Sequence, residues 1–284
     1  MKFSVITVNY RSWPYALRCI DSLYRTGYED FEVVVVNNDQ GATPEIPHTV
    51  RLIRNPENVG FARACNQGVY VSRGENVMFI NPDTLVEGDF FESLEKFLDE
   101  NPRVGVAGPR IVGVEGDVQL TARKELGFVS GFLGRTSLLT RLFPQSALVK
   151  RLFPAARKLT GPTAVDWISG TCMTVRRQML EEIGPMDERF FMYFEDADLC
   201  RRAREAGWLV YYLPQVEVFH HSGASSQNRS RAIWDLHKSA FLYHRKHGRH
   251  GPLGFYSFLT LAGLAGRASV RLATSMKKRG KRIE

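Results

Sequence analysis

The first 113 residues alternate short apolar runs with longer amphipathic ones, and that rhythm leaves few folds open. "KFSVITVNY" reads as a strand, followed by "WPYALRCIDSLYRTGY", an amphipathic helix with Pro14 near its first turn and Gly27 at its end. "FEVVVVNND" is a second strand, whose four consecutive valines suit a sheet covered on both faces. Then come "VRLIRN" (strand), "GFARACNQGVYVS" (helix), "NVMFI" (strand), "DFFESLEKFLDENP" (helix) and "VGVAGPRIV" (strand). Such alternation implies βαβ units and a parallel, doubly wound sheet. Ligands of these sheets bind beyond the carboxyl ends of the strands, so the residues closing each strand become candidates for function.

The strand "NVMFI" runs into Asn81-Pro82-Asp83-Thr84. Pro82 has no backbone N–H and cannot continue a central strand, so Asp83 is held in a rigid turn at a strand end. Asn37-Asn38-Asp39 closes the second strand in the same way. Further along, Glu195, Asp196 and Asp198 open a helix that ends in Arg201, Arg202 and Arg204. The helix dipole alone favours that order of charge. Here the acids also follow "FFMYF", an aromatic wall that would desolvate a carboxylate and suit it to proton transfer. "EVFHHSG" places His220 and His221 at the end of another strand, where an imidazole with a distant Asp makes a mixed N/O site for Mg²⁺ or Mn²⁺. "NPENVGFARACNQG" sets Asn58, Gly60 and Asn66 around a helix start whose backbone N–H groups can hold phosphate.

Charge is unevenly spread. Residues 267–284 carry seven Lys/Arg against Glu284, a net of +6, and residues 118–165 carry eight against Glu125, a net of +7. With +8 for the whole chain, the remainder stands at −5, a mildly acidic body with two basic attachments that suit anionic partners. Residues 251–266 are uncharged but too short and Gly-rich for a bilayer crossing; with the basic run they suit an interfacial helix or a core-packing helix with a solvated tail. His237, His244, His247 and His250 lie among Lys and Arg and read as a solvated basic face rather than a metal cluster. The four cysteines, Cys19, Cys65, Cys172 and Cys200, show no paired spacing, and the N-terminus enters a strand without a signal-peptide pattern. A reducing, cytoplasmic compartment is expected.

Taken in order, "SVITVNYRS", "VVVVNND", "NVGFARACNQG", "FINPDT", "VDWISGTCMTVRR", "PMDERFFMYFEDADLCRRAREAGW" and "VFHHSGASS" resemble the family 2 glycosyltransferases of the GT-A fold, closest to bacterial rhamnosyltransferases. The resemblance covers roughly residues 3–245, and the ordered set is far more specific than any one motif. It implies an α/β fold, a Rossmann-like doubly wound, mixed to mostly parallel sheet flanked by helices, with a C-terminal helical extension. The implied division is a catalytic domain over 1–245, with a nucleotide-binding half to about 115 and an acceptor-side half from about 116. Residues 246–284 form an amphipathic basic extension that would suit the cytoplasmic face of the inner membrane. The implied reaction is inverting transfer of a sugar, best L-rhamnose from dTDP-L-rhamnose, to a saccharide or polyprenyl-diphosphate-linked acceptor of O-antigen-like polysaccharide, with Mg²⁺ or Mn²⁺ and without nucleic acid.

By the same resemblance Asp83 and His220 are metal ligands, Asp196 is the general base and Glu195 its partner acid. Val8, Asn9, Tyr10, Asn37 and Asn38 meet the nucleoside; Asn58, Gly60, Phe61, Asn66 and Asn81 line the donor. Trp167, Ser169 and Gly170 face the acceptor. Two departures stand out: Asn37 where the family usually has Asp, and Asn81 at the first position of its D-x-D motif. They keep open another donor (galactofuranose, N-acetylglucosamine, glucose or mannose) or a non-catalytic scaffold that binds the nucleotide.

Overall fold

In a computed structural model of the protein, residues 1–119, 121–123, 159–221 and 229–248 are described. The basic stretch within 124–158, the uncharged run at 251–266, the terminal basic run and His250 lie outside them. Each apolar run of the first half forms the expected strand: β1 (Phe3–Asn9), β2 (Phe31–Asn37), β3 (Val50–Arg54), β4 (Asn76–Ile80) and β6 (Val104–Gly113). Between them lie the helices α1 (Trp13–Arg25), α2 (Phe61–Val71) and α3 (Phe90–Glu100). The short strands β7 (Val118–Gln119), β8 (Ala122–Arg123), β9 (Thr163–Ala164) and β10 (Trp167–Ile168) follow, and then β11 (Cys172–Arg176), α4 (Arg177–Ile183), α5 (Glu195–Glu205), β12 (Leu209–His220) and α6 (Arg229–His247).

The main sheet runs β3-β2-β1-β4-β11-β6-β12-β5, with β5 (Thr84–Val86) at one end. The ladders joining β3, β2, β1 and β4 are parallel. Beyond them the sheet is mixed, as expected: β11 returns from the excursion after β6 and enters antiparallel between β4 and β6. Strand β12 lies parallel to β6, so β1, β2, β4 and β12 all point their carboxyl ends to one edge. The beginning of β11 reaches the same edge, since Cys172 pairs with Ile80.

Alternation along each strand builds two cores. Phe3, Val5, Val33, Val35, Met78 and Ile80 face α1 and α3, whereas Ile6, Val8, Val34, Val36, Val77 and Phe79 face α2, α4 and α5. In the first core Phe91 stacks on Tyr28 and Phe31, with ring centroids 5.0 and 4.9 Å away. In the second, α2 lies so close to β1 that a Cβ on Gly68 would stand 2.5 Å from Ile6. Two features were illegible by pattern. Strand β5 has only three residues, and "LVYYLP" and "EVFHH" are one strand, β12, whose register with β6 shifts between Leu213 and Glu217, around Pro214.

Candidate active site

The turn after β4 is built as the sequence suggests. Asn81 donates its N–H to Thr171 O (2.9 Å), Thr84 N–H closes the turn on Asn81 O (3.2 Å), and Asp83 is left buried between them. Strand β5 then begins at once and pairs antiparallel with the end of β12, placing Thr84 opposite His220. Asp83 and His220, 137 positions apart in the chain, thereby meet: His220 Nε2 lies 3.2 Å from Asp83 Oδ1. The imidazole Nδ1 lies 3.0 Å from Gln119 Oε1, so Nε2 is the ring nitrogen turned toward Asp83. Asp83 Oδ1 accepts no hydrogen bond among the described residues. A carboxylate oxygen and an imidazole nitrogen at this distance form an ion pair when the ring is protonated and can share a divalent cation when it is neutral. The donor set, one carboxylate oxygen and one imidazole nitrogen, fits a divalent ion such as Mn²⁺ or Mg²⁺. No group of three ligating side chains occurs among the described residues, so a bound ion would draw further ligands from substrate and water.

The acidic helix lies across the same edge. Residues 190–194 approach α2 as a loop whose last two residues, Tyr193 and Phe194, both have φ of 69°. This left-handed pair is unusual for aromatic residues and sets where α5 begins. Gly60, also at positive φ (89°), receives the loop: Phe61 N–H donates to Phe191 O at 2.7 Å. Asp196 is buried, its Oδ2 accepting from Gly170 N–H (2.8 Å) and its Oδ1 from Ala197 N–H (2.7 Å). Burial raises its pKa, against the opposing pull of those N–H groups and of Arg123. Glu195 is buried too, with no partner for Oε2 among the described residues; burial first, then the charge of Asp196, pushes its pKa well up. The segment Ser169, Gly170 and Thr171 joins the two halves of the site, bonded to Asn81 on one side and to Asp196 on the other.

At the ends of β1 and β2 the side-chain amides form a net. Asn9 Nδ2 donates to Asn37 Oδ1 (2.7 Å), and Asn37 Nδ2 donates to Asp39 O (2.8 Å). Asn38 donates to Asn58 Oδ1 and Gly60 O, both at 3.2 Å, and accepts from Asn55. Val8 is buried beneath, and Tyr10 is half-buried with Arg11 5.3 Å over its ring. The structure thus brings Val8, Asn9, Tyr10, Asn37, Asn38, Asn58, Gly60, Phe61, Asn81, Asp83, Gly170, Glu195, Asp196 and His220 to one edge. Trp167 and Ser169 lie beside Gly170. The Asn66 amide clamps the 186–188 loop through Met186 O (2.9 Å), Met186 N–H (3.0 Å) and Glu188 Oε1 (3.0 Å).

Several residues escaped sequence reasoning. Gln119, which bonds the His220 ring, sits in the two-residue strand β7 (Val118–Gln119) with no local signal. Asn55 and Gln67, doubly bonded to each other, buttress the amide net. Arg123, 4.6 Å over the Trp167 ring, lies at the edge of the basic stretch and looked like one more surface charge. His247 and His237 overturn the reading of a solvated basic face. His237 is buried, and His247 Nε2 lies 2.6 Å from Asp198 Oδ1, joining Lys246 and Arg202 as a partner of that buried carboxylate.

Residues 4–184 match the sequence pattern of glycosyl transferase family 2. The chain belongs to that family. It is a glycosyltransferase, and its fold is GT-A. It is 30% identical over 263 residues to the N-acetylglucosaminyl-diphospho-decaprenol L-rhamnosyltransferase of Mycobacterium tuberculosis, covering 84% of this chain and 82% of that protein. The dTDP-rhamnosyl transferase RfbF of Shigella flexneri is 25% identical over 228 residues, 75% of this chain and 67% of its own length. Among solved structures, the mannosyltransferase PcManGT of Pyrobaculum calidifontis, in complex with GDP-Man and Mn²⁺, superposes with a TM-score of 0.57 at 19% identity, over 97% of this chain and 79% of that one. S. aureus TarS with UDP-GlcNAc gives 0.59 at 20% identity, over 94% and 72%.

Proposed function

We propose that this glycosyltransferase moves L-rhamnose from dTDP-L-rhamnose to a hydroxyl of a lipid-linked saccharide, with inversion, in the assembly of a bacterial cell-surface polysaccharide. The observation that carries the mechanism is the pairing of two half-sites on one sheet edge. Asp83 and His220 bring a carboxylate oxygen and an imidazole nitrogen within 3.2 Å of each other, and Asp196 presents a buried carboxylate tied to the same 169–171 segment. Asp83 and His220 would hold the divalent cation. When bound, that cation neutralises the charge that develops on a departing nucleoside diphosphate.

The remaining work falls to the protein's own groups. Asp196 takes the proton of the acceptor hydroxyl, and its raised pKa makes it a stronger base than an ordinary carboxylate. Gly170 N–H and Ala197 N–H hold it in place. One displacement suffices, so no covalent protein nucleophile is required. Asn9, Tyr10, Asn37 and Asn38 bind the nucleoside, Asn58, Gly60, Phe61 and Asn81 line the donor, and Asn66 secures the loop on the donor's far side. Trp167, Ser169 and Gly170 meet the acceptor.

The choice of donor and acceptor is supported by the mycobacterial relative, whose name gives L-rhamnose as the sugar and a diphospho-decaprenol-linked N-acetylglucosamine as the acceptor. Among the described residues no helix is long and apolar enough to cross a membrane. The proposed setting is the cytoplasmic face of the inner membrane, with residues beyond α6 as the basic extension. The test is a panel of dTDP-L-rhamnose, UDP-galactose, UDP-N-acetylglucosamine and GDP-mannose, scored by hydrolysis and by thermal stabilisation with and without Mn²⁺. A metal-dependent response strongest for dTDP-L-rhamnose is expected; a stronger response to another donor replaces the sugar while keeping the mechanism.

A further inference from the structure

Helix α6 reaches the active site from outside the region that carries the family pattern. Its last turn presents Lys246 and His247 to one buried carboxylate. Lys246 Nζ lies 2.7 Å and His247 Nε2 2.6 Å from Asp198 Oδ1, while Arg202 Nε donates to Asp198 Oδ2 at 2.8 Å. Lys246 also reaches Asp187 at 2.7 Å. Burial alone would raise the Asp198 pKa, but the donors from His247, Lys246 and Arg202 outweigh it and hold the carboxyl below its usual value.

Asp198 stands two residues beyond Asp196 on α5, so the charge cluster grips the helix that carries the base. Two turns earlier on α6, Ser239 Oγ donates to Met192 O at 2.7 Å. The Tyr243 ring lies 5.5 Å from Phe194 and 4.9 Å from His247. Phe194 in turn lies 5.9 Å from Trp167. The left-handed residues Tyr193 and Phe194 are thus held from the far side by α6, and such a conformation persists only where its surroundings over-determine it.

We propose that the second half of α6 is a latch that fixes the 190–194 loop and with it the position of the Asp196 carboxylate, with Ser239, Lys246, His247 and Asp198 as positioning residues. The inference rests on Asp196 being the base. The test measures His247→Ala, Lys246→Met and the milder Ser239→Ala in the full chain, by steady-state sugar transfer and by hydrogen–deuterium exchange. For His247→Ala, kcat should fall by about tenfold or more while KM for the sugar nucleotide stays within about twofold, because misplacing one catalytic group by an ångström costs rate rather than donor binding. His247→Gln, which keeps a side-chain N–H, should recover part of the loss. Amides of residues 190–196 should exchange faster in the variants, and those of β1 and β2 should not.

Unchanged kcat in all three variants overturns the latch. So does a parallel loss of kcat, donor affinity and melting temperature, which marks a general loss of fold. Ser239→Ala removes one hydroxyl and keeps a folded variant in the comparison. If the wild-type chain transfers no sugar, exchange alone decides: unchanged protection at 190–196 overturns the latch, whereas faster exchange upholds it and places the failure in the functional reading.

Discussion

Gly60→Ala is the smallest change that connects backbone geometry to the site. At φ 89° an L-residue is strained wherever it points, at a cost of about 1–3 kcal/mol. The added Cβ would also lie 2.7 Å from Phe191 O and 2.8 Å from Phe191 Cδ2. Both atoms belong to the loop that precedes α5, and the first is the acceptor of the Phe61 N–H bond, so the neighbour cannot simply swing aside. Overpacking of that kind adds about 1–3 kcal/mol. Against this, alanine reduces the entropy of the unfolded chain, which returns about 0.4–1 kcal/mol. The net expectation is destabilisation of about 1–6 kcal/mol, or a melting temperature roughly 2–24 °C lower at about 2–4 °C per kcal/mol. Chemical denaturation gives the free energy, and transfer measured well below the melting temperature gives the activity. Activity per folded molecule should fall as well, because the displaced loop carries Tyr193, Phe194 and then Asp196. A variant within about 0.5 kcal/mol of wild type, the range of an inert surface change, would refute the reasoning about Gly60.

Other outcomes follow from the same geometry. Asp196→Asn should abolish transfer, whereas Glu195→Gln, replacing an acid already pushed toward its neutral form, should retain much of it; equal loss in both would remove the distinction. Because burial raises the Asp196 pKa, transfer should fail as pH drops through a midpoint above the ordinary Asp value of about 3.9. Stability runs the other way. The contribution of Asp196 and Glu195 is fully present below their unfolded pKa values and is lost as pH rises through the raised folded ones, which denaturation at a series of pH values reads directly. Phe91→Ala, deep in the α1/α3 core, should cost about 3–5 kcal/mol and leave activity per folded molecule unchanged, as equilibrium unfolding and an assay at low temperature would show. Chelation of divalent ions should remove donor-induced thermal stabilisation, and Asp83→Ala should behave like the chelated wild type.

What the sequence disclosed divides along physical lines. Strands β1, β2 and β4 were legible because both faces are buried, which writes a continuous apolar run, and the polar residues that stop each run are the ones lining the edge. Helix α5 was legible from its charge order. The antiparallel entry of β11 was not, since "CMTVR" reads the same in either direction. Nor was β5, whose three residues are too few for a period but decide that Asp83 meets His220. The Gln119 and His247 contacts depend on partners 101 and 49 positions away, and no local pattern encodes them. Asn37 is a different case. As an asparagine it donates to Asp39 O as well as accepting from Asn9, a bond an aspartate could not make, so the departure is built into the amide net.

The most direct test of the central claim is transfer from dTDP-L-rhamnose to a lipid-linked acceptor by wild type, Asp83→Ala and Asp196→Asn, with Mn²⁺ or Mg²⁺ and with chelator, reading product and anomeric configuration. The account predicts metal-dependent transfer with inversion in the wild type and loss in both variants, each still folded. Transfer that persists in either variant, or that proceeds unchanged under chelation, would contradict it.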